Sequence, residues 1–526
     1  MRTTMIFAMA ALALTLPAPV HAFCGFYVAG SDQEMVNDAT MVVLMREGSR
    51  TVLSMQNHYE GPPENFAMVI PVPVVLEEDH VKVLKNEVFE RIDHLAAPRL
   101  VEYWEQDPCY VEPDYEEDEA MEDTAAAPVE YAAEGAGSMG VTVEAEFTVG
   151  EYDIVILSAE DSSGLDAWLR DNEYAIPEGA EPVLRPYVEQ GMKFFVAKVD
   201  VTKVRFVEGR AELSPLRFHY DSDQFALPVR LGLLNAEGKQ DLLVHVLAPG
   251  QRYEVANYEN VTVPTNVDVA NEVRERFAEF YAALFDETLA QNPAAIVTEY
   301  AWQATNCDPC PGPVLDQNDL MTFGADVLPS LAALQGKAGS SDYWQAQSTL
   351  MNFVITRLHA RYDRETLTED LVFRAAPPIV GGREFLADDG ELEHGSRPAS
   401  QNNFQGRYAI RHEWDGPIEC ANPVRGRWGG PPAGMARPGT TPATDVAFAE
   451  RGELELPQSV RSPVPELGLD AFVPAAETPA GPTAAATVHA DPEDDDGCGS
   501  CATTGGPAGG LLALVGFALL GRRRRR

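Results

Sequence analysis

From Phe23 to about Leu100 the pattern of apolar and polar positions is strand-rich, then helical. "ATMVVLMREGSRTVLSMQNH" predicts two β-strands, Thr40–Arg46 and Thr51–Asn57, joined by a turn at Glu47-Gly48-Ser49. "ENFAMVIPVPV" predicts a third, buried strand ended by Pro71 and Pro73. In "EEDHVKVLKNEVFERIDHL" the apolar residues fall at Val81, Leu84, Val88, Ile92 and Leu95, which is the spacing of a helix with one buried face. "VTVEAEFTVGEYDIVILSA" predicts two alternating strands about Gly150, and "SSGLDAWLRDNEY" a short helix capped near Ser162 or Ser163. "MKFFVAKVDV", "AELSPLRFHY", "FALPVRLGLLN" and "QDLLVHVLAP" follow as strands set apart by turn signals.

Two longer helices are predicted further on. Val269–Gln291 would turn Val273, Phe277, Phe280, Leu284 and Leu289 inward, and Asp342–Arg361 would form the second. Strands that follow one another without long intervening helices favour antiparallel pairing. The fold class expected is α+β: mainly an antiparallel β-sheet or sandwich with a few amphipathic helices, stabilised by disulfides.

Two stretches break the pattern. Residues 112–140 are acidic, then Ala/Gly-rich, without one Lys or Arg, and read as a solvated, flexible insertion. They lack the spaced Asp/Asn and central Gly of an EF-hand calcium loop. From 433 to 497 the composition turns to Pro, Ala, Thr and acid, the mark of a disordered, semi-extended stalk.

Composition narrows the function. The 526 residues carry 82 acidic and 39 basic side chains, for a formal charge of −43. This excludes a nucleic-acid role, which needs a clustered basic surface. The N-terminus has Arg2, an apolar run from Met5 to Leu16, Pro17, Pro19 and small residues before Ala22, which reads as a signal peptide (residues 1–22) cut by a secretion signal peptidase after Ala22. A lipoprotein signal with Cys24 acylated is the rival, and bulky Phe23 speaks against it. The C-terminus combines Cys498 and Cys501, an apolar segment at 505–521, and the cluster Arg522, Arg523, Arg524, Arg525 and Arg526. Arginines hold their end of a membrane segment on the cytoplasmic side, so the body would lie outside, anchored through its C-terminus at the cell surface or outer membrane.

Export makes disulfides the expected state of the body cysteines Cys24, Cys109, Cys307, Cys310 and Cys420. Five allow two bonds and one leftover, with the connectivity open. In "WQATNCDPCPGP" the prolines at 309, 311 and 313 oppose the helix of a thioredoxin-type redox site. A zinc site would want a second cysteine pair. A structural disulfide, Cys307–Cys310 or one of the two to Cys420, is the reading adopted.

"NNFQGRYAIRHEWDGPIEC" gathers Arg407, Arg411, His412 and Trp414, residue types that bind anions or glycans by guanidinium contacts and stacking, or else form a strand and turn. "HEWDG" has Gly416 where a zinc protease would carry its second histidine. No nucleophile elbow, phosphate loop or dinucleotide fingerprint occurs, so no catalytic residue, metal or cofactor is assigned.

"FCGFYVAG", "WQATNCDPCPGP", "RLHARYDRETLTEDLVFR" and "NNFQGRYAIRHEWDG" together resemble the bacterial family catalogued as domain of unknown function 2330, over residues 23–432. That resemblance implies an exported bacterial protein and supplies no activity. The tail at 498–526 is similar to the MYXO-CTERM sorting signal. The similarity implies cutting near Cys498 or Cys501 by a dedicated sorting protease, lipid attachment and surface display. The function expected is a surface-anchored, non-enzymatic binding or envelope-associated module of unknown ligand. The alternative is a surface hydrolase built on His412 and Asp415 or a thiol-redox enzyme built on Cys307 and Cys310.

Overall fold

In the computed structural model of the chain, the described residues are 26–28 and 36–472, apart from 61–66, 111–140, 384–391, 444–448 and short gaps at 173, 175, 177–178, 208–209, 236–237, 337, 433, 436–438, 450 and 453. The acidic insertion, Ala22, Cys24 and everything from residue 473 onward lie outside them.

The hairpin predicted first is present. Strands Val36–Glu47 and Arg50–Glu60 pair antiparallel, Glu47 opposite Arg50, so that Gly48 and Ser49 alone make the turn. Gly48 has a φ of +58°, as a tight two-residue hairpin turn demands. Strand Gln240–Pro249 joins this hairpin in parallel, Leu242 opposite Thr40, and pairs antiparallel with Phe353–Tyr362 on its other side. Strand Ile296–Gln303 continues the sheet beyond Phe353–Tyr362, and Leu216–Asp221 continues it beyond Arg50–Glu60. Among the described residues eleven strands make up this sheet.

Burial on both faces explains its unbroken apolar runs. Val42, Leu44, Val244 and Val246 pack toward a second, five-stranded antiparallel sheet through Ile70, Ile154, Ile156 and Phe195. Val43, Met45, Leu247 and Ile355, on the opposite face by the alternation of a strand, pack beneath helices Asn86–Ala96, Gln317–Phe323 and Ser341–Met351. The architecture is α+β and mainly β, as expected. Its central pairing of Gln240–Pro249 with Val36–Glu47 is parallel, the chain having laid Leu216–Asp221 on the far side of the hairpin before Gln240–Pro249 enters beside Val36–Glu47.

A smaller sheet sets the strand Arg407–His412 parallel to Arg99–Glu105, with Val267–Asp268, Trp428–Gly429 and Thr441–Pro442 at its margins. Helix Phe277–Gln291 packs Phe277, Phe280, Tyr281 and Leu284 on Leu100, Tyr408 and Ile410.

Several expectations need correction. The predicted helix Asp342–Arg361 is a helix only over Ser341–Met351. Phe353–Tyr362, with Phe, Val, Ile and Thr at its start, is a central strand, where packing on two faces overrides the helical reading. Val81–Val83 is a short strand ahead of its helix, and Val267–Asp268 is a strand followed by a 3₁₀ turn at Asn271–Arg276. Only Ala226–Leu227 of "FALPVRLGLLN" is strand, and Arg230–Asn235 is 3₁₀. Helix Ser162–Asp171 is capped by Asp161, whose Oδ1 accepts from Gly164 N–H. Helix Ala180–Glu189 is an addition that periodicity did not single out.

The largest correction concerns the stalk. Thr441–Pro442 pairs with Arg99–Leu100, and Leu456, Val460, Val464 and Leu467 are buried against the Phe277–Gln291 helix. Bulk composition hid four apolar residues spaced to reach one surface. The described fold therefore includes residues as far as Phe472, forty past the expected boundary at Pro432.

Candidate functional site

The cysteine loop hangs from the end of strand Ile296–Gln303. Ala304 N–H donates to Phe353 O, and Leu315 N–H donates to Ala304 O, so the chain leaves and returns at one point. Within this loop Cys307 is bonded to Cys310. Cys307 is 8% exposed, while Cys310 stands in solvent. Two of the loop's carbonyls are held from below. Arg99 Nη1 donates to Pro309 O at 2.8 Å, and Asp308 O accepts from Arg407 Nη2 at 2.5 Å and from Gln405 Nε2 at 2.8 Å. Arg99, Gln405 and Arg407 are all buried. His94 completes the cradle: its Nδ1 lies 3.1 Å from the place a Cβ on Gly312 would occupy.

Arg99 is the most confined of these groups. Its second nitrogen donates to Leu95 O, the Tyr300 ring lies 5.5 Å from its guanidinium carbon, and its buried Nε has no hydrogen-bond partner. Burial, reinforced by the positive charges of Arg407 and Arg357 and opposed by Tyr300, lowers its pKa to about 10. The cradle is thus rich in buried positive charge.

The structure joins two segments that the sequence left separate, because Arg407 belongs to the arginine–aromatic cluster. It also splits that cluster. On one face of the Arg407–His412 strand, Arg407 Nη1 donates to the Tyr103 hydroxyl, and Arg411 lies over the Tyr103 and Trp428 rings while donating to Asp268 Oδ1 at 2.8 Å. On the other face, His412 stacks on Trp104 and shares a 2.8 Å hydrogen bond between its Nε2 and Glu102, which also pairs with Arg274. Trp414 donates its backbone N–H to Glu105, and its ring lies 2.6 Å from where a Cβ on Gly416 would stand. Glu413 and Asp415 are exposed. Arg407 and Arg411 thus share Tyr103 on one face of the strand, whereas His412 lies with Trp104 on the face away from the cysteine loop.

Cys109 is bonded to Cys420, 311 residues away, which excludes Cys420 as a partner for the loop. Cys24, Cys498, Cys501, Ala22 and Arg522–Arg526 lie outside the described residues. Among the described residues no group of three or more His, Cys, Asp and Glu could hold a metal ion, and no helix is long and apolar enough to cross a membrane. Two clefts of about 430 Å³ lie elsewhere, one by Arg252, Glu254 and Ser396, the other by Arg276, Arg461 and Phe472.

A buried charge network had not been anticipated. Glu299 is the extra residue of a β-bulge between Thr298 and Tyr300, which re-aims its side chain. Its Oε2 accepts from Arg357 at 2.6 Å, and its Oε1 meets the Tyr281 hydroxyl at 2.5 Å and His359 Nδ1 at 2.7 Å. His359 Nε2 reaches Asp241 at 3.0 Å, and Asp241 also meets Arg361 and Arg451. Asp93 closes the inner end on Arg357, and Asp286 the outer end on Arg361 and Arg451. Arg357, His359 and Arg361 at alternate positions of one strand were the visible signal, since alternate residues share a face.

A comparison with protein-family models matches residues 18–374 to the family described as "Uncharacterized protein conserved in bacteria (DUF2330)". The chain belongs to that family. The matched stretch of this DUF2330 protein contains the cysteine loop, Arg99 and the core of the charge network, and stops short of the Arg407–His412 strand. Searches among curated proteins and solved structures found no match.

Proposed function

We propose that this chain is an exported bacterial protein acting outside the cytoplasm as a rigid binding or envelope-associated module, held at the cell surface through its C-terminus. The observation that carries this reading is the Cys109–Cys420 bond, which ties segments 311 residues apart. Such a bond persists in an oxidising compartment and not in a reducing cytosol. The internal engagement of Arg407, Arg411 and His412 supports a scaffold over a hydrolase, since these groups hold their own fold together.

The N-terminal 22 residues supply the export signal in this reading. The tail supplies the tether: Cys498 or Cys501 is the processing point, 505–521 the temporary membrane segment and Arg522–Arg526 the retention signal, in the manner of a MYXO-CTERM sequence. The test is to block free thiols in intact native cells, fractionate them and map the peptides. The reading expects protein with Cys109 joined to Cys420 in the envelope or extracellular fraction. Recovery in the cytosol with both thiols free overturns it.

A further inference from the structure

We propose that the Cys307–Cys310 disulfide is a thiol-exchange site, with Cys310 the sulfur that an incoming thiolate attacks and Cys307 the leaving group. Three observations converge on it. First, the two sulfurs are unequal. Cys310 is exposed and open to attack, whereas Cys307 is 8% exposed beneath it. In a crosslink made only for stability, that difference would be incidental. In exchange chemistry it determines which S–S end is reached.

Second, the loop does not depend on the disulfide for its position. Its ends are pinned by Ala304 and Leu315, and its middle carbonyls by Arg99, Gln405 and Arg407. The bond closes a ring of only three residue steps, so it removes far less freedom from the unfolded chain than the Cys109–Cys420 bond does. Opening it leaves the cradle in place. The long Cys109–Cys420 bond is the structural staple.

Third, the cradle suits a leaving thiolate. Two buried guanidiniums hold the carbonyls of the residues between the cysteines, Arg99 faces carbonyl oxygens at both of its terminal nitrogens, and its Nε is buried without a partner. Both guanidiniums reach the loop through the carbonyls of Asp308 and Pro309, and positive charge held in that loop favours a thiolate formed there.

The substrate class is a thiol, arriving on a small molecule or on a protein. The incoming thiolate forms a bond to Cys310 Sγ, the Cys307–Cys310 bond breaks, and its electron pair remains on Cys307 as a thiolate. A second thiolate then attacks the substrate sulfur of the mixed disulfide. That step forms the substrate disulfide and releases Cys310 as a thiolate. The two protons of the substrate thiols end on Cys307 and Cys310. The substrate pair is oxidised by two electrons and the loop disulfide is reduced by two.

The purified full-length chain tests this, in one arm with reduced glutathione and in the other with a reduced peptide carrying two cysteines. Peptide mapping after alkylation reports each cysteine separately, and near-ultraviolet circular dichroism reports the fold. The expected result is reduction of Cys307–Cys310 in at least one arm while Cys109–Cys420 stays oxidised and the fold is unchanged. The arm that reacts identifies the source of the thiol. Resistance in both arms until Cys109–Cys420 opens or the fold is lost overturns the proposal. In the variants Cys307→Ser and Cys310→Ser, the remaining Cys310 should form mixed disulfides at least about tenfold faster than the remaining Cys307. Equal rates, or the reverse order, overturn the assignment of Cys310 as the attacked sulfur. The site would function with or without a membrane tether, so failure here is separate from failure of the export reading.

Discussion

Arg451 and Asp241 are 210 residues apart in the chain, and the guanidinium Nη2 of one lies 3.3 Å from the carboxylate Oδ2 of the other. Asp241 sits on a central strand of the large sheet and is almost wholly buried. Arg451 comes from a segment whose composition suggested a solvated spacer. The contact ties that segment into the main fold and closes the outer end of the charge network.

Loss of this arginine should therefore be costly. Arg451→Ala leaves Asp241 with Arg361 and His359, and the partly exposed Asp286 with Arg361 alone, and losing charged hydrogen bonds of this kind costs about 1.5 to 3 kcal/mol. Urea denaturation of the variant should show that loss. A change within about 0.5 kcal/mol, the range of ordinary surface substitutions, would mean that the segment contributes nothing to the fold.

The same network predicts two pH limits. Asp93, Glu299, Asp241 and Asp286 face Arg357, Arg361, Arg451 and His359, a set that is neutral only when His359 carries its proton. Burial opposes that proton, yet the Glu299 and Asp241 carboxylates outweigh burial and raise the His359 pKa above its usual 6.5. A raised folded pKa stabilises fully below the unfolded value, so this contribution should fade as pH rises above 6.5 and through the folded value. Burial likewise opposes the Glu299 charge, and His359 and Arg357 overcome it to bring its pKa from 4.5 to about 2. Its contribution is present above 4.5 and lost as pH falls from there toward 2. Unfolding free energy measured from pH 3 to 9 should fall at both ends, and His359→Gln should remove the alkaline limb. An alkaline limb retained by that variant would assign the effect to another group.

The two disulfides should differ in stabilising effect. In the chain-entropy model the Cys109–Cys420 bond is worth about 6 kcal/mol, and the Cys307–Cys310 bond about 2 kcal/mol before any strain is counted. Paired Cys→Ser variants compared by thermal melting should show the larger drop for the first pair. The reverse order would make the short loop bond a structural element.

Gly382 offers a local test of the support beneath the cysteine loop. Its φ is +71°, and an added Cβ would fall 2.1 Å from the carbonyl oxygen of Gln405. Gly382→Ala combines a disfavoured backbone region with a clash against backbone, and should destabilise by more than about 1 kcal/mol. It should also loosen Gln405, whose side chain holds Asp308 O. Faster amide exchange around Cys307–Cys310 would report that loosening. Unchanged exchange would mean that Gln405 does not support the loop.

The C-terminal proposal has its own measurement. Intact-mass analysis of the cell-associated protein should find Arg522–Arg526 removed. Retention of all five arginines would replace sorting with a plain membrane anchor.

The sequence alone was enough for the elements whose periodicity is local. The hairpin at Gly48, the strand Gln240–Pro249 and the helix face of Phe277, Phe280 and Leu284 are set by which positions must leave water. It was also enough for the mainly β, α+β class and for the family. Tertiary structure decided what meets what. It set Gln240–Pro249 parallel to Val36–Glu47, bonded Cys109 to Cys420 and placed Arg407 under Asp308. It also gathered four carboxylates, three arginines and His359 into one network, buried around Glu299 and partly exposed at Asp286. The reason is physical. Periodicity records that a side chain is buried, whereas ladder pairing and charge neutralisation depend on groups far along the chain, as Thr441 opposite Leu100, which no local window contains.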